Sequence, residues 1–354
     1  MTVFIMIRDH QDRLNLRRNR IFRDRLHPLD TYDDIELIRR YRLSRPLIIE
    51  LFDHIRDEIE PQTLRSHAIP GMLQLFCTLR FYATGTFQAV IGDSIGIHKS
   101  SVSRIVTRVT TALCRLKNRY IQFPRRENII RTKQKFYDIA NFPQVMGAID
   151  GTLINIKKPD ENENLYINRK GQHSLNVLAT CNSDLIFTYV VAKYPGATND
   201  SFIWLNSNLR DKFESGDLGN AWLLGDSGFG LSKYLLTPVL HPSTPAEENY
   251  NAAHKTTRQV VERSFGLSKQ RFRCLDRSGG HLMYEPVKCC QIVVACYILH
   301  NICVSNNLPV DEGAMDQADE DDIGYEGNND HEVQQENAAE GVAVRRQLIY
   351  HRFQ

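Results

Sequence analysis

The stretch that decides the fold is WLLGDSGFG, residues Trp222–Gly230. Three apolar residues lead into a Gly-Asp pair and then into two further glycines. This pattern is typical of a short buried strand that ends at an aspartate and then turns. The carboxylate of Asp226 is therefore expected at the edge of a sheet, within reach of a metal ion or a substrate. Its role depends on which other acids the chain brings to it.

Around this stretch the chain alternates between strand patterns and helix patterns. The strands predicted upstream are VMGAIDGTLINI (145–156), SLNVLATCN (174–182) and LIFTYVVAKYPG (185–196). TNDSFIWLNSNLRDKF (198–213) starts with capping residues and predicts one crossover helix. Downstream, residues 237–254 read as a loop, 256–273 as a helix, and about 287–303 as a last apolar helix. This order predicts an α/β layer fold.

The region before the first strand is predicted to be helical. Ser44 and Pro46 begin one helix, and Pro70 and Gly85 bound another. Residues 86–117 then predict a helix, a tight turn and a longer helix capped by Ser100, which together resemble a helix-turn-helix. The outward residues of the longer helix suit contacts with phosphates and base edges, and they are Ser101, Arg104, Thr107 and Arg108. A pair of helices in an ordinary bundle is the alternative.

The charge is unevenly distributed along the chain. The formal net charge is only +2, but residues 311–344 contain 12 acidic side chains and no lysine or arginine. Residues 1–310 therefore carry 41 basic against 30 acidic side chains. A basic body suits a polyanion such as DNA, and the acidic tail either competes for that surface or only solubilises the chain. Arginines between residues 8 and 25 favour nuclear import or phosphate contact, with a loosely ordered lead-in as the alternative.

The sequence argues against a secreted or membrane protein. It contains no run of 18 uncharged apolar residues and no recognisable secretory signal. The eight cysteines lie mostly in apolar segments without CxxC pairing, which favours reduced thiols in a cytosolic or nuclear protein. The predicted location is the nucleus, with the cytoplasm as a second location. Cys296, His300 and Cys303 share one helix face, but a structural zinc needs four ligands, so a buried helix with a hydrogen-bonded histidine is favoured.

Three acids stand where an α/β fold would gather them. Asp150 lies in the first strand, Asp226 ends a later strand, and Glu262 lies on the next helix. Carboxylates are suitable ligands for Mg²⁺ or Mn²⁺, and such ions promote in-line displacement at a phosphodiester. Surface acids or salt bridges are the alternative.

Several blocks of the chain, taken in order, resemble the PIF/Harbinger DDE transposases and the nucleases derived from them. These blocks are GAIDGT, YINRKGQHSLNV, YPGATNDS, LLGDSGF, NAAHKTTRQVVERSFGLSKQRFRCL and YILHNI. The resemblance covers the helical N-terminal region and continues to about residue 305. It implies an RNase H-like core in which Asp150, Asp226 and Glu262 bind a divalent metal cation, preceded by a helix-turn-helix.

The same resemblance points to further residues and to a partner. Asp200, in TNDS, either joins or supports the metal ligands, or is the N-cap of a helix. Arg169 and Lys170, in YINRKGQH, are candidates for contact with DNA phosphate, with a solvated turn as the alternative. In this family the nuclease works with a separate Myb/SANT-like DNA-binding protein, and the resemblance alone implies such a partner here.

These observations predict four regions and one leading function. The regions are a basic, loosely ordered N-terminus (1–32), a helical domain (33–135) with the helix-turn-helix-like segment, an RNase H-like DDE nuclease domain (136–306), and an acidic, disordered tail (307–354). The predicted function is metal-dependent DNA endonuclease or transposase-like hydrolysis of phosphodiester bonds through an Asp-Asp-Glu triad. A catalytically silent module that binds DNA or protein is the alternative.

Overall fold

A computed structural model describes residues 27–63, 68–310 and 335–354. The arginines between residues 8 and 25, and most of the acidic stretch that begins at residue 311, lie outside these ranges. The predictions made for those two segments are therefore not addressed by the structure.

The described residues form helices, a five-stranded sheet and a few 3₁₀ turns. The helices are α1 (Pro28–Thr31), α2 (Asp34–Tyr41), α3 (Arg45–Ile59), α4 (Gly71–Thr84), α5 (Gln88–Ile95), α6 (Lys99–Arg115), α7 (Lys117–Tyr120), α8 (Ile129–Ala140), α9 (Glu163–Tyr166), α10 (Asp200–Leu205), α11 (Asn208–Glu214), α12 (Pro245–Arg271), α13 (Pro286–Ser305) and α14 (Gln335–Arg352). The strands are β1 (Val145–Asn155), β2 (Ser174–Cys181), β3 (Phe187–Pro195), β4 (Trp222–Leu224) and β5 (Leu235–Leu236).

The sheet is mixed, with strand order β3-β2-β1-β4-β5. The strands β1, β2 and β3 form an antiparallel meander, whereas β4 and β5 run parallel to β1. Every residue of β2 is buried, and β1 is buried over its first five residues. A central strand covered on both faces reads as a continuous apolar run, as VMGAI does here. The predicted α/β layer fold is thus confirmed.

The boundaries predicted for α3 and α4 agree with the structure. Ser44 is the N-cap residue of α3, and Gly85 ends α4 in a left-handed conformation. One detail differs, because His98, and not Ser100, caps α6: its Nδ1 accepts a hydrogen bond from the Ser100 amide. The buried side chains of α2–α6 join those of one face of the sheet, α12 and α13 in one continuous core, which extends from Leu37 to Phe353. A second buried cluster, which includes Met146, Ile149 and Leu223, lies on the other face of the sheet.

Two helices that flank the sheet have bounds different from those predicted. The single helix expected over residues 198–213 is split into α10 and α11, because Ser207 starts a new helix by accepting a hydrogen bond from the Arg210 amide. The helix predicted to begin at residue 256 begins at Pro245, within the segment read as a loop. A capping box formed by Thr244 and Glu247 explains this early start.

The expectation of a disordered tail is wrong for its last part, because residues 335–352 form α14. Leu348, Ile349 and Phe353 are buried, and the Phe353 ring lies 5.4 Å from the ring of Phe142 and 5.6 Å from that of Tyr250. The acidic composition of the preceding stretch leads to the prediction of disorder for the whole tail, because these few apolar residues contribute little to its average composition.

The apolar helix α13 is the central helix of the core. It is the one helix of the described residues that is long and apolar enough to cross a membrane, but most of it is packed inside the fold. All eight cysteines are free, as predicted. His300 is buried, and its Nε2 lies 3.0 Å from the carbonyl oxygen of Leu185. The predicted buried helix with a hydrogen-bonded histidine is thus confirmed.

We expect His300 to make the fold sensitive to mild acid. The pKa of His300 is lowered to about 4, chiefly by burial; the hydrogen bond to Leu185 opposes the lowering, and the positive charge of Arg271 adds to it. The unfolded chain binds the proton near pH 6.5, so stability is complete above that pH and falls as the pH drops towards 4. One such histidine costs about 1.4 kcal/mol per pH unit within this window.

Thermal melts between pH 4 and 7.5 test this expectation. His300→Gln should lose less stability than wild type between pH 6.5 and 4, while His254, whose pKa is also lowered to about 4, continues to contribute. Identical pH dependence in the variant and wild type would exclude His300 as a source of the acid sensitivity.

A second stability prediction concerns Gly266, in the middle of α12. A methyl group at this position would meet no atom within 4 Å, and the residue is exposed. Because glycine weakens a helix interior by roughly 1 kcal/mol relative to alanine, Gly266→Ala should raise the free energy of unfolding by about that amount. Urea denaturation measures the change, and a destabilised variant would contradict the prediction.

Candidate active site

The parallel pairing of β1 with β4 places Asp150 and Asp226 side by side. Ala148 pairs with Leu224, and each aspartate follows two residues later in its own segment. The strand β4 ends at Leu224, so Asp226 lies in the turn beyond the strand and does not end it as predicted. Its Oδ1 accepts a hydrogen bond from the Gly228 amide at 3.0 Å, which holds the side chain in this turn.

Glu262, on α12, is linked to Asp150 by Arg258, which donates hydrogen bonds to both carboxylates. Arg258 lies four residues before Glu262, so both side chains share one face of the helix. The Nη1 of Arg258 donates to Asp150 Oδ2 at 2.8 Å, and its Nη2 donates to Glu262 Oε1. Arg258 and Asp150 are each 18% exposed and Glu262 is 45% exposed, so the cluster opens to solvent on the side of Glu262.

Three side chains of α12 attach this helix to the residues that follow β4. Tyr250 Oη donates to the Thr237 carbonyl at 3.0 Å, and His254 Nε2 lies 3.1 Å from the Leu236 carbonyl. Asn251 pairs with both backbone groups of Val239. These contacts, together with the buried Val260, Val261 and Phe265 further along, fix the rotation of α12 and hence the direction of Glu262.

Asp200 is the fourth acid near this cluster. It is the first residue of α10, while Asn199 is at the N-cap position, so the alternative in which Asp200 is the N-cap is wrong. Its Oδ1 accepts a hydrogen bond from Asn176 Nδ2 at 2.6 Å. The carboxylate packs directly on Gly151, where a β-carbon would overlap with it. Asp200 therefore lies against β1 next to Asp150.

The cluster contains more negative than positive charge. Burial raises the pKa of the Asp150 carboxyl to about 7; Arg258 opposes the rise, whereas the carboxylates of Asp226 and Asp200 add to it. Four carboxylates near a single guanidinium leave an excess of negative charge, which a cation would neutralise.

The donor set fits a hard divalent cation in its chemistry, since all four side chains are carboxylates. The side chains do not form a finished metal site, however: across residues 27–63, 68–310 and 335–354, no group of three His, Cys, Asp or Glu side chains is placed to hold an ion. Arg258 stands between Asp150 and Glu262 where a cation would bind both.

The structure places Arg169 and Lys170 at the exposed tip of a tight turn. The turn is held by Asn168, a buried residue whose Oδ1 accepts hydrogen bonds from the amides of Lys170 and Gln172. His173, at its end, pairs with Glu163 at 3.0 Å. The turn leads directly into β2, the strand that pairs with β1 beside Asp150.

The helix-turn-helix-like segment lies elsewhere in the fold. Arg104, Thr107 and Arg108 are exposed on α6, as predicted, and Ser101 is half-buried. The main packing partners of α6 are α3, α4, α5 and α13, none of which carries a member of the acidic cluster. Arg108 donates to Gln74 at 3.2 Å, and Lys288 donates to the Thr107 carbonyl at 2.9 Å. The structure therefore does not bring the four residues of α6 together with the acids.

Arg258 is the functional candidate that the sequence interpretation missed. The signal was present as R-x-x-x-E in RQVVE, because this spacing places arginine and glutamate on one face of a helix. The close packing of Asp200 on Gly151 had no comparable signal, since it depends on tertiary contact.

Comparison with known proteins identifies the class of this fold and site. Residues 149–301, which contain Asp150, Asp200, Asp226 and Glu262, match the family model described as DDE superfamily endonuclease. The chain is therefore a nuclease by class. No solved structure is significantly similar to it.

Curated relatives narrow the assignment. The chain is 40% identical over 283 residues to "Putative nuclease HARBI1" of Homo sapiens, covering 80% of this chain and 81% of the human protein. The Xenopus laevis protein of the same name is 39% identical, with 80% and 82% covered. "Protein ALP1-like" of Arabidopsis thaliana is 26% identical over 64% of this chain and 59% of the plant protein. The chain belongs to the Harbinger transposase-derived nuclease family within the DDE superfamily.

Proposed function

We propose that this protein is a divalent-metal-dependent DNA endonuclease, related to transposases, that hydrolyses phosphodiester bonds with Asp150, Asp226 and Glu262. The observation that carries the proposal is the register of β1 and β4, which sets Asp150 beside Asp226. Glu262 joins them from α12 through Arg258. The mixed sheet with this strand order, and an acidic site on its central strand, supports an RNase H-like core.

Asp150, Asp226 and Glu262 would hold Mg²⁺ or Mn²⁺, with Asp200 as a further ligand or as a support for Asp150. A bound divalent ion supplies an activated water or hydroxyl and stabilises the leaving oxygen in an in-line displacement. The chain's own contribution is to set the acids by strand register and helix rotation. The partly exposed Glu262 leaves the site open on one side, where a DNA backbone would enter.

Basic residues outside the acidic cluster would position the DNA. Arg169 and Lys170 are exposed on a turn held rigidly by Asn168, next to the strand that pairs with β1. Both can neutralise phosphate charge near the cut. The outer face of α6, with the exposed Arg104, Thr107 and Arg108 and the half-buried Ser101, would bind DNA at a second place as part of a helix-turn-helix.

The larger organisation of the protein follows the same proposal. The basic N-terminus (1–32) and the helical region (33–135) would serve DNA binding and nuclear location, and the region 136–306 would carry catalysis. The shared core of the helical region and the sheet means that the two would move as one body on DNA. A Myb/SANT-like protein would supply sequence recognition.

A cleavage assay tests this function. Purified protein is incubated with supercoiled plasmid, linear duplex and single-stranded DNA, each with MgCl₂, MnCl₂ or EDTA. Cleavage with either metal and none with EDTA is the expected result. Cleavage that persists in EDTA would contradict metal dependence.

A catalytically silent binding module is the second candidate. The observation that favours it is Arg258, which already satisfies Asp150 and Glu262. This candidate predicts no cleavage of any DNA form with either metal, together with binding that weakens steeply as salt rises. The same assay, followed by a salt titration of DNA binding, separates the two functions.

A further inference from the structure

Arg258 satisfies two of the proposed metal ligands at once. One nitrogen of its guanidinium donates to Asp150 and the other to Glu262, and the side chain is only 18% exposed. The remaining oxygen of Asp150, Oδ1, accepts a hydrogen bond from the Gly151 amide at 2.9 Å. Both oxygens of Asp150 are therefore already used by groups of the protein itself.

A metal ion and this guanidinium cannot both occupy the space between Asp150 and Glu262. A Mg²⁺ ion needs carboxylate oxygens at about 2.0–2.1 Å, and the planar, permanently charged guanidinium covers the same oxygens. The guanidinium contacts two of the four acids, and across the described residues no three such side chains are placed to hold an ion.

We propose that Arg258 is an internal cation that holds Asp150 and Glu262 together in the metal-free protein and must be displaced when a divalent ion binds. This inference rests on the proposed function, because it requires that these acids are metal ligands. Arg258 then has two opposite effects. It stabilises the metal-free fold, since a buried carboxylate without its partner is costly, and it weakens metal binding by competing for the same oxygens.

These opposite effects distinguish the proposal from a purely structural role. Arg258→Gln should bind MnCl₂ on the order of tenfold more tightly than wild type in calorimetric titration, a typical size for coupling between two binding events. The same variant should have a lower melting temperature without metal and a larger rise in melting temperature when MnCl₂ is added. Arg258→Lys keeps the positive charge but loses the two-pronged guanidinium, so its affinity for MnCl₂ should lie between those of wild type and Arg258→Gln. If Arg258→Gln fails to fold, Arg258→Lys takes its place in the titration.

Arg263→Gln is the matched control, because Arg263 is an exposed arginine on the same helix and next to Glu262. It removes the same charge without removing the contact with Asp150, so its affinity for MnCl₂ should stay close to wild type. An equal gain in Arg263→Gln would overturn the proposal in favour of long-range electrostatics. Unchanged or weaker binding by Arg258→Gln would also overturn it.

Asp150→Asn separates failure of this inference from failure of the proposed function. If wild type binds MnCl₂, Asp150→Asn does not, and Arg258→Gln binds as wild type does, then the metal site stands and the role of Arg258 is wrong. If wild type and Arg258→Gln both bind no MnCl₂, the proposed metal site is wrong and the role of Arg258 with it.

Discussion

Replacing Asp150, Asp226 or Glu262 by the matching amide should lower metal-dependent DNA cleavage by more than about 100-fold, the upper end of the loss seen for groups that only support a ligand. The amide keeps the size of the side chain but removes the negative charge that would hold a divalent ion. The melting temperature of Asp150→Asn should change little, because relief from burying the charge beside other acids offsets the loss of its ion pair with Arg258. Gel assays of plasmid cleavage and thermal melts measure the two quantities.

Glu248→Gln is the control for these variants. Glu248 is an exposed acid in the first turn of α12, the helix that carries Glu262. The Glu248→Gln variant should therefore cleave DNA at the wild-type rate. If all three site variants cleave DNA as fast as wild type, the assignment of the triad is wrong. A loss in Glu248→Gln as large as in Glu262→Gln would show that the helix, and not the site, is responsible.

Gly151→Ala is expected to damage both the site and the fold. The added methyl group would overlap with the carboxylate of Asp200, so this side chain must move away and give up its hydrogen bond with Asn176. Overpacking of this kind costs about 1–3 kcal/mol of stability. Displacement of groups near a reacting centre by about 1 Å costs roughly 100-fold in rate, and we expect a loss of that size in DNA cleavage.

Combining this change with Asp200→Ala tests the cause and defines the role of Asp200. The double variant should recover most of the lost stability, because the atoms that overlap are gone, and the two changes should therefore be non-additive. A recovered melting temperature without recovered cleavage would assign Asp200 to the site itself. Wild-type stability and cleavage in Gly151→Ala would contradict the close packing between Gly151 and Asp200.

The periodicity of the sequence was sufficient to predict the α/β class and the first three strands. Apolar, β-branched runs such as SLNVLATC are long enough to identify themselves as strands. The strand β5, of only Leu235 and Leu236, carries no such signal, because two residues cannot show a period. The parallel register that aligns Asp150 with Asp226 also has no local signal, since it is set by packing between distant segments.

Other differences have identifiable physical causes. The start of α12 was predictable from Thr244, Pro245 and Glu247, a capping box with proline at the first helical position, but the nearby prolines obscured it. The C-terminal helix was not predictable, because Phe353 gains its stabilisation from Phe142 and Tyr250 far away in the chain. Among the site residues, the three acids of the triad were chosen by resemblance, and only the structure indicates how Arg258 joins two of them.

Contacts on both sides of Arg258 hold α12 in place, and this restricts where residues can be inserted in related sequences. Successive residues of an α-helix are turned by about 100°, so one residue inserted between His254 and Arg258 would carry Glu262 away from Asp150 while Tyr250 stayed in place. Insertions should therefore be tolerated between Asp226 and Thr244, where the chain is mostly irregular, and rejected from Tyr250 to Glu262. An alignment of many relatives should show a constant spacing of twelve positions there.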